Sequence, residues 1–371
     1  MKSAGTVQGS PTTIATRLNG QGRMNRSQLS QRVQRLAAQA IGNWLGKPGE
    51  PAAAVVAMTP GTGAIRAMAV DAPGHHSMAF NLATQSRRQA GSTFKLFTLT
   101  AAMEDGIPLN SVWNGPPSLT IPDPICMNSD GPWDVHNFAD EESGTMSLLQ
   151  ATANSVNTIF AQIVTKVGPA KIVDVARAMG VQSPLVPVCS ITLGPEGVSP
   201  LDMTDAFATV AAGGIHHAPE AIQSVNGRPI AAPAGNRVLT RAVASKVTYA
   251  LSGVIKDGTG TAAALDRPAA GKTGTAESFE DAWFCGFVPQ LAACVWVGYP
   301  QAETPLENLD GFGQVVGGSI PARIWHDFMA PAVHGLPVKP LPAPPASALK
   351  AKGVQPAPSA TPSPPVSLTA H

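Results

Sequence analysis

Ser92-Thr93-Phe94-Lys95 is the stretch around which the rest of this sequence can be interpreted. A serine and a lysine three residues apart share one face of a helix, where the amine can remove the hydroxyl proton. The apolar residues that follow, up to Gly106, predict a helix over 92–105 with Ser92 near its N-terminus. Free backbone N–H groups and the helix dipole would favour an oxyanion there. S-x-x-K also occurs by chance, and an ordinary capped helix with a solvated lysine is the alternative.

A second polar motif, Ser155-Val156-Asn157, separates two apolar segments that predict helices. We expect the second of these helices over 158–167, ended by Gly168. At such a junction Ser155 could pass a proton between Lys95 and a leaving amine, and Asn157 could hydrogen-bond a substrate amide. Helix capping is the commonest role of serine and asparagine at this position, and taken alone it would be the better interpretation.

A third motif, Lys272-Thr273-Gly274-Thr275, lies in a segment over 269–276 that predicts a strand. Gly271 allows a close backbone approach, and Gly274 would let a ligand lie along the chain. The lysine and the two threonines offer a cation and hydroxyls to a carboxylate, and an exposed edge could pair with an extended peptide. A glycine-rich turn with a surface lysine is the alternative. The three motifs in this order supply the parts of an acyl-transfer site, which favours catalysis.

The motifs and their surroundings resemble the transpeptidase domain of class A penicillin-binding proteins of the actinobacterial type. The resemblance extends over about residues 30–335. It includes the three longer segments Gln85-Ser86-Arg87-Arg88-Gln89-Ala90-Gly91-Ser92, Leu193-Gly194-Pro195-Glu196-Gly197-Val198-Ser199-Pro200-Leu201-Asp202-Met203 and Gly317-Gly318-Ser319-Ile320-Pro321-Ala322-Arg323-Ile324-Trp325. The chain departs from the family at Ala90, where proline is frequent.

The resemblance implies a serine D,D-transpeptidase that cross-links peptidoglycan stem peptides. Ser92 would attack the carbonyl of the penultimate D-Ala, with Lys95 as its base and Ser155 as the proton relay. Backbone N–H groups of Ser92 and Thr275 would form the oxyanion hole. The terminal D-Ala leaves, and an amine of a neighbouring stem peptide resolves the acyl-enzyme. A β-lactam antibiotic mimics D-Ala-D-Ala and leaves the serine acylated.

The family's substrate-binding positions carry over in the same way. Asn157 would orient the stem peptide. Lys272, Thr273 and Thr275 would hold its terminal carboxylate beside Gly274, and Lys272 would also tune the Ser155 proton. No cofactor and no metal are implied.

Three rival functions share these motifs. A class A β-lactamase must deacylate with the help of a glutamate, but its E-x-x-L-N segment is not found, and Glu196 is the nearest candidate by order. A D,D-carboxypeptidase would use the same residues with water as the acceptor. A non-catalytic β-lactam sensor or scaffold would be acylated without turnover, but no signalling segment is recognisable.

The four cysteines lack a C-x-x-C pattern and suggest disulfides more than zinc. The segments around 283–287 and 291–297 predict a hairpin. If its turn centres on Pro289-Gln290, Cys285 faces Cys294. Cys126 and Cys189 are then left to pair. Buried free thiols remain the alternative.

Composition gives no indication of a nucleic-acid partner, because the net charge is only +1. The histidine pairs His75-His76 and His216-His217 have no metal-like spacing, and we expect them at the surface. No apolar run reaches the ~18 residues that span a membrane, and no secretory signal is recognisable at Met1. Class A proteins carry a membrane anchor and a glycosyltransferase domain ahead of this region, so the resemblance implies either a fragment of a longer protein or a gene product with a misplaced start. It also implies a location in the cell envelope, outside the cytoplasm.

The chain divides into a polar linker over 1–24, the transpeptidase domain over 25–335 and a disordered Pro/Ala-rich tail over 336–371. Within the domain, the hydrophobic pattern predicts an amphipathic helix over 25–45, a hairpin of strands over 53–58 and 64–70, and helices over 201–212 and 240–256. Residues 110–143 predict a long loop beside the site. The order indicates an α+β fold with an antiparallel sheet between helix layers. The resemblance implies that this is an antiparallel five-stranded sheet flanked by helices, plus an all-helical subdomain.

Overall fold

The computed structural model describes residues 25–345 except 74–79, 128, 130 and 233. Within these residues the chain forms eight α-helices: α1 (Gln31–Gly42), α2 (Lys95–Glu104), α3 (Leu148–Ala153), α4 (Asn157–Val167), α5 (Pro169–Ala178), α6 (Pro200–Ala211), α7 (Arg241–Lys256) and α8 (Ile320–Val333). The strands are β1 (Asn25–Ser27), β2 (Ala52–Met58), β3 (Ile65–Asp71), β4 (Arg88–Gln89), β5 (Val112–Gly115), β6 (Ser118–Ile121), β7 (Trp133–His136), β8 (Gly144–Ser147), β9 (Gly197–Val198), β10 (Ile215–His216), β11 (Ile222–Val225), β12 (Arg228–Pro229), β13 (Asn236–Arg237), β14 (Ala270–Thr275), β15 (Asp281–Val288), β16 (Leu291–Gly298), β17 (Glu307–Leu309) and β18 (Phe312–Gln314).

A five-stranded antiparallel sheet in the order β14-β15-β16-β2-β3 forms the centre of the fold. Its middle strands β15 and β16 are buried along their whole length, as expected for a sheet covered on both faces. The hairpin between β2 and β3 agrees with the sequence prediction within one residue at each bound. The strand that carries the third motif, β14, lies at one edge of the sheet.

Successive residues of β2 belong to two different hydrophobic cores because side chains alternate across a strand. Ala53 and Val55 pack with α1 and α8. Ala54 and Val56 belong to the opposite core, which includes residues of α2, α4, α5, α6 and α7. This layered arrangement, with the helical subdomain on one side of the sheet, confirms the predicted α+β fold class.

Three sequence predictions need correction. The helix predicted from residue 25 begins at Gln31, because Ser30 caps it and Asn25–Ser27 instead pairs with β11. The predicted loop over 110–143 contains three short strands, of which β6 and β7 pair with each other and β5 pairs with β8. The predicted disordered tail begins with an ordered stretch, since the Pro337 carbonyl accepts a bond from Gln290 and Leu341 packs against the core. Residues 1–24 and 346–371 lie outside the described residues.

Both predicted disulfides are present. Cys285 and Cys294 are direct partners in the β15–β16 ladder, and the turn falls at Pro289-Gln290 as expected. Cys126 and Cys189 join the segment after β6 to the 3₁₀ turn before β9. The helices expected over 201–212 and 240–256 are α6 and α7. No helix within the described ranges is both long enough and apolar enough to cross a membrane.

Candidate active site

Ser92 and Lys95 lie at the junction of two kinds of helix. Gly91–Phe94 forms a 3₁₀ turn, and α2 begins only at Lys95, which corrects the prediction of one α-helix from Ser92. Because a 3₁₀ helix has three residues per turn, side chains at i and i+3 eclipse each other. The Lys95 amine therefore lies directly over the serine, with Nζ 2.9 Å from Ser92 Oγ.

The second motif brings Ser155 and Asn157 to the same amine. Lys95 Nζ donates to the Ser155 carbonyl at 2.7 Å and to Asn157 Oδ1 at 2.5 Å, and it lies 3.2 Å from Ser155 Oγ. Ser155 adopts a positive φ of 60°, a left-handed conformation that non-glycine residues adopt mainly where the surrounding structure imposes it. The α4 helix begins at Asn157 behind Val156, and no side chain caps it. The capping interpretation of this motif is therefore wrong.

Lys272 reaches Ser155 from the opposite side. Its Nζ donates to Ser155 Oγ at 2.8 Å and to the Thr273 carbonyl at 3.0 Å. Two amines thus converge on one hydroxyl. The third motif lies in a strand, as the sequence predicted, and its lysine is fully buried, so the alternative of a turn with a surface lysine is also wrong.

Burial controls the charge of both lysines. It lowers the pKa of the Lys95 amine well below the ordinary value of 10.5, and the nearby Lys272 charge lowers it further. Burial also lowers the pKa of Lys272 to about 7. Desolvation disfavours the ammonium form, and two ammonium groups around one serine repel each other. The site therefore favours a neutral Lys95, which is the state that a base requires.

A neutral Lys95 has only two N–H donors and one lone pair. The Ser155 carbonyl and Asn157 Oδ1 can only accept, so they take the two N–H groups. The lone pair is left to face Ser92, whose hydroxyl then donates to Nζ. With a neutral amine, the hydrogen-bond arrangement thus directs the Ser92 hydroxyl proton toward the Lys95 lone pair.

Two threonines of the third motif contact residues outside the three motifs. Thr273 Oγ1 lies 2.7 Å from the hydroxyl of Thr259, in the turn after α7. Thr275 Oγ1 accepts from the backbone N–H of Gly317 at 3.1 Å. Gly317 opens a segment that the family resemblance had marked, whereas Thr259 carries no sequence signal beyond a Gly-Thr-Gly turn.

Two glycines allow the 3₁₀ turn that carries Ser92 to pack against β14. A Cβ on Gly274 would lie 2.4 Å from the Ala90 carbonyl oxygen, and one on Gly91 would lie 2.4 Å from the Thr275 carbonyl oxygen. Gly91 also has a φ of 54°. We expected Gly274 to leave room for a ligand. Instead, the space beside it is filled by the chain segment that precedes Ser92.

The two walls of the site are linked by an aromatic contact. Asn157 donates to the His136 carbonyl at 2.8 Å, and Phe138 follows two residues later. Phe138 meets Phe279, in the turn that follows Thr275, edge to face with ring centroids 5.9 Å apart. The lysines are buried beneath, whereas Ser92 and Thr275 are partly exposed. Neither phenylalanine was identified from the sequence.

Within the described residues, the hydrogen bonds of Lys95 and Lys272 involve no imidazole. His216 was expected at the surface, but β10 places it against α6, where Nε2 lies 2.9 Å from the buried Asp205 carboxylate. His75 and His76 lie outside the described residues. Among the residues that the structure does describe, no group of three or more histidine, cysteine, aspartate or glutamate side chains could hold a metal ion.

An S-x-x-K serine, an S-x-N junction and a K-T-G edge strand that converge on one site are the motif set of penicillin-binding proteins and class A β-lactamases. The chain belongs to the penicillin-binding protein transpeptidase domain family, whose model matches residues 53–330. Among its relatives are two proteins named penicillin-binding protein 1A. The chain is 32% identical to the one from Mycobacterium tuberculosis over 86% of its own length and 41% of the relative's, and 30% identical to the one from Mycolicibacterium smegmatis over 88% and 43%. It spans less than half the length of these relatives.

Solved structures have the same fold. The PonA1 protein from Mycobacterium tuberculosis in complex with penicillin V superposes with a TM-score of 0.79 at 30% identity, and 94% of each chain is covered. The D,D-transpeptidase domain of a peptidoglycan glycosyltransferase from Eggerthella lenta gives a TM-score of 0.68 at 25% identity, with 84% of this chain and 83% of that chain covered.

Proposed function

We propose that the domain, over residues 25–335, is a serine D,D-transpeptidase that cross-links peptidoglycan stem peptides and is acylated by β-lactams at Ser92. One observation carries the proposal: Lys95 Nζ lies within 2.9 Å of Ser92 Oγ, the Ser155 carbonyl oxygen and Asn157 Oδ1. A neutral amine in this position donates to the two carbonyl oxygens and keeps its lone pair for Ser92. The kinship with penicillin-binding proteins 1A and with a penicillin-bound structure supports the same conclusion.

In the first half-reaction Ser92 Oγ attacks the carbonyl of the penultimate D-Ala while its proton moves to Lys95 Nζ. The developing oxyanion is stabilised by the backbone N–H groups of Ser92 and Thr275. Ser155, which lies within 3.2 Å of both amines, passes the proton to the leaving nitrogen as the peptide bond breaks. The products are free D-Ala and an ester on Ser92.

In the second half-reaction an amine of a neighbouring stem peptide attacks the ester. Its proton returns through Ser155 and Lys95 to Ser92 Oγ, so the enzyme is restored and a new amide is formed. Lys272, Thr273 and Thr275 line the strand that receives the terminal carboxylate, and Asn157 faces the substrate amide. A β-lactam ring opens in the first step, and its leaving nitrogen stays tethered to the acyl group.

The rival functions differ in the fate of the ester. A β-lactamase needs a carboxylate that positions water, and the hydrogen bonds of Ser92 and Lys95 in the described residues go to an amine, a carbonyl, an amide and hydroxyls. A carboxypeptidase would use the same groups with water as the acceptor, and a sensor would stop at the ester.

We also place the domain outside the cytoplasm, at the cell envelope. The substrate class requires it, and two disulfides are typical of an oxidising compartment. The membrane anchor and glycosyltransferase domain of class A proteins are part of the same proposal for the longer protein.

The test is intact mass over time after addition of benzylpenicillin to wild type, Ser92→Ala and the control Ser252→Ala, which removes a helix serine remote in sequence from the three motifs. A lasting one-drug adduct on wild type and S252A, absent from S92A, supports the proposal. An adduct that disappears while the drug is hydrolysed would indicate a β-lactamase. No adduct on any variant refutes the acylation step. A D-Ala-D-Ala peptide with and without an acceptor amine then separates transfer from hydrolysis and from a silent sensor.

A further inference from the structure

Asp281 is a buried carboxylate that the proposed reaction does not use. It is the first residue of β15 and is only 4% exposed. Both oxygens have partners: Oδ1 accepts from the Trp296 indole N–H at 2.7 Å, and Oδ2 accepts from the backbone N–H of Gln89 at 3.2 Å. A carboxylate withdrawn from water is costly even when it is paired, so its presence here requires a reason.

Gln89 is held at both of its backbone groups. Its N–H donates to Asp281, and its carbonyl accepts from the Trp283 indole N–H at 2.7 Å. It also pairs with Gly197 in the short β4–β9 ladder. Two side chains of β15, Asp281 and Trp283, therefore fix the position of β4, which ends three residues before Ser92.

The two residues between Gln89 and Ser92 are both held by hydrogen bonds. The Ala90 carbonyl accepts from the Thr93 hydroxyl at 2.6 Å and lies against Gly274. The next residue, Gly91, donates its N–H to the Gly194 carbonyl at 3.1 Å. A displacement of Gln89 must therefore pass to the 3₁₀ turn that carries Ser92.

Ionisation of the Asp281 carboxylate lowers the stability of the fold. Burial raises its pKa from 3.8 to about 6, although the Trp296 bond and the Arg88 charge act in the opposite direction. The folded state therefore holds this proton more tightly than the unfolded chain, and stability decreases as the pH rises from about 4 to about 6. At neutral pH the ionised carboxylate opposes folding, yet it supplies two acceptors that no neutral isostere offers in the same places.

We propose that Asp281 is a positioning residue for the nucleophile: by binding the backbone N–H of Gln89, with Trp283 binding its carbonyl, it holds Ser92 Oγ in line with Lys95. This inference rests on the proposed acylation of Ser92. Misplacement of a reacting group by about 1 Å can cost a hundredfold in rate. Loss of this positioning is therefore expected to lower the acylation rate constant and to leave the pre-acylation dissociation constant nearly unchanged.

The experiment measures the acylation rate constant and the pre-acylation dissociation constant for benzylpenicillin by time-resolved intact mass over a range of drug concentrations. In Asp281→Asn, the side-chain amide N–H faces one of the two N–H donors that the carboxylate accepts, the Trp296 indole or the Gln89 backbone. We expect its acylation rate constant to fall by roughly 10- to 100-fold, while the dissociation constant changes less than threefold. Asp205→Asn, another buried carboxylate, in α6, is the matched control, and its rate constant should equal that of wild type.

A second pair of variants keeps the test decisive if D281N does not fold. Trp283→Phe removes the N–H donor to the Gln89 carbonyl and part of a buried ring. Trp325→Phe makes the same truncation on α8, where the indole donates to the Ala293 carbonyl. A slower acylation in W283F but not in W325F supports the proposal. The positioning role of Asp281 would be refuted if the acylation rate constant of D281N equalled that of D205N and that of W283F equalled that of W325F. The absence of an adduct on wild type would instead refute the proposed function itself.

Discussion

Lys272→Met is expected to increase stability at neutral pH while it abolishes acylation of Ser92. Lys272 is fully buried, and its pKa falls from 10.5 to about 7. The unfolded chain keeps the ordinary value, so between these two pH values the unfolded state binds more protons than the folded state. The free energy of unfolding therefore rises with pH through this window and is lowest at about pH 7 and below. At about 1.4 kcal/mol per pH unit, the window corresponds to about 5 kcal/mol.

Methionine resembles the lysine stem in size and carries no charge, so the variant lacks this penalty. It also lacks the bonds to Ser155 Oγ and the Thr273 carbonyl, which together are worth about 2–4 kcal/mol. The expected net gain at pH 7 is therefore roughly 1–3 kcal/mol. Removal of the Lys272 charge also relieves Lys95, which acts in the same direction.

The assay is urea unfolding of wild type, K272M and the control Lys256→Met at pH 7, 8, 9 and 10. Lys256 is exposed at the end of α7, so K256M should run parallel to wild type. The curve for K272M should start above that of wild type, approach it by about 1.4 kcal/mol per pH unit and cross it before pH 10. Parallel curves for wild type and K272M would show that Lys272 has an ordinary pKa and would refute the electrostatic argument for the site.

Three further outcomes are expected. Gly91→Ala should slow acylation at least tenfold because its Cβ has no space, whereas Gly106→Ala, which also has a positive φ but open surroundings, should lose about 1 kcal/mol of stability and keep the wild-type acylation rate. Thr259→Val should weaken pre-acylation binding of benzylpenicillin about fivefold through the lost hydroxyl contact, with little change in the acylation rate constant, as measured by the same mass kinetics. Replacement of both Cys126 and Cys189 by serine should lower the free energy of unfolding in urea by about 4 kcal/mol, since the disulfide closes a loop with a sequence separation of 63. A loss below 1 kcal/mol would contradict the chain-entropy explanation.

Local patterns in the sequence were sufficient for the elements whose causes are local. The α6 helix was predicted from its hydrophobic pattern, and its start signal, Ser199 followed by Pro200, works without the rest of the fold. The Cys285–Cys294 disulfide followed from the turn at Pro289, because hairpin register is set by the turn. The strands of residues 110–143 were missed because they are short, have no clear alternating pattern and pair within this irregular segment or with β8 immediately after it.

The sequence by itself determined which groups could do chemistry: a serine with a lysine three residues on, a polar junction between helices and a lysine on a strand. Only the tertiary structure decided their state. Lys95 and Lys272 are 177 residues apart in the chain, and their converging burial around Ser155 lowers the pKa values of both amines. The contacts of Gly274 with Ala90 and of Asp281 with Gln89 likewise arise between segments distant in sequence. Desolvation and packing depend on everything that surrounds a group, and a residue's sequence neighbours supply only a small part of that surrounding.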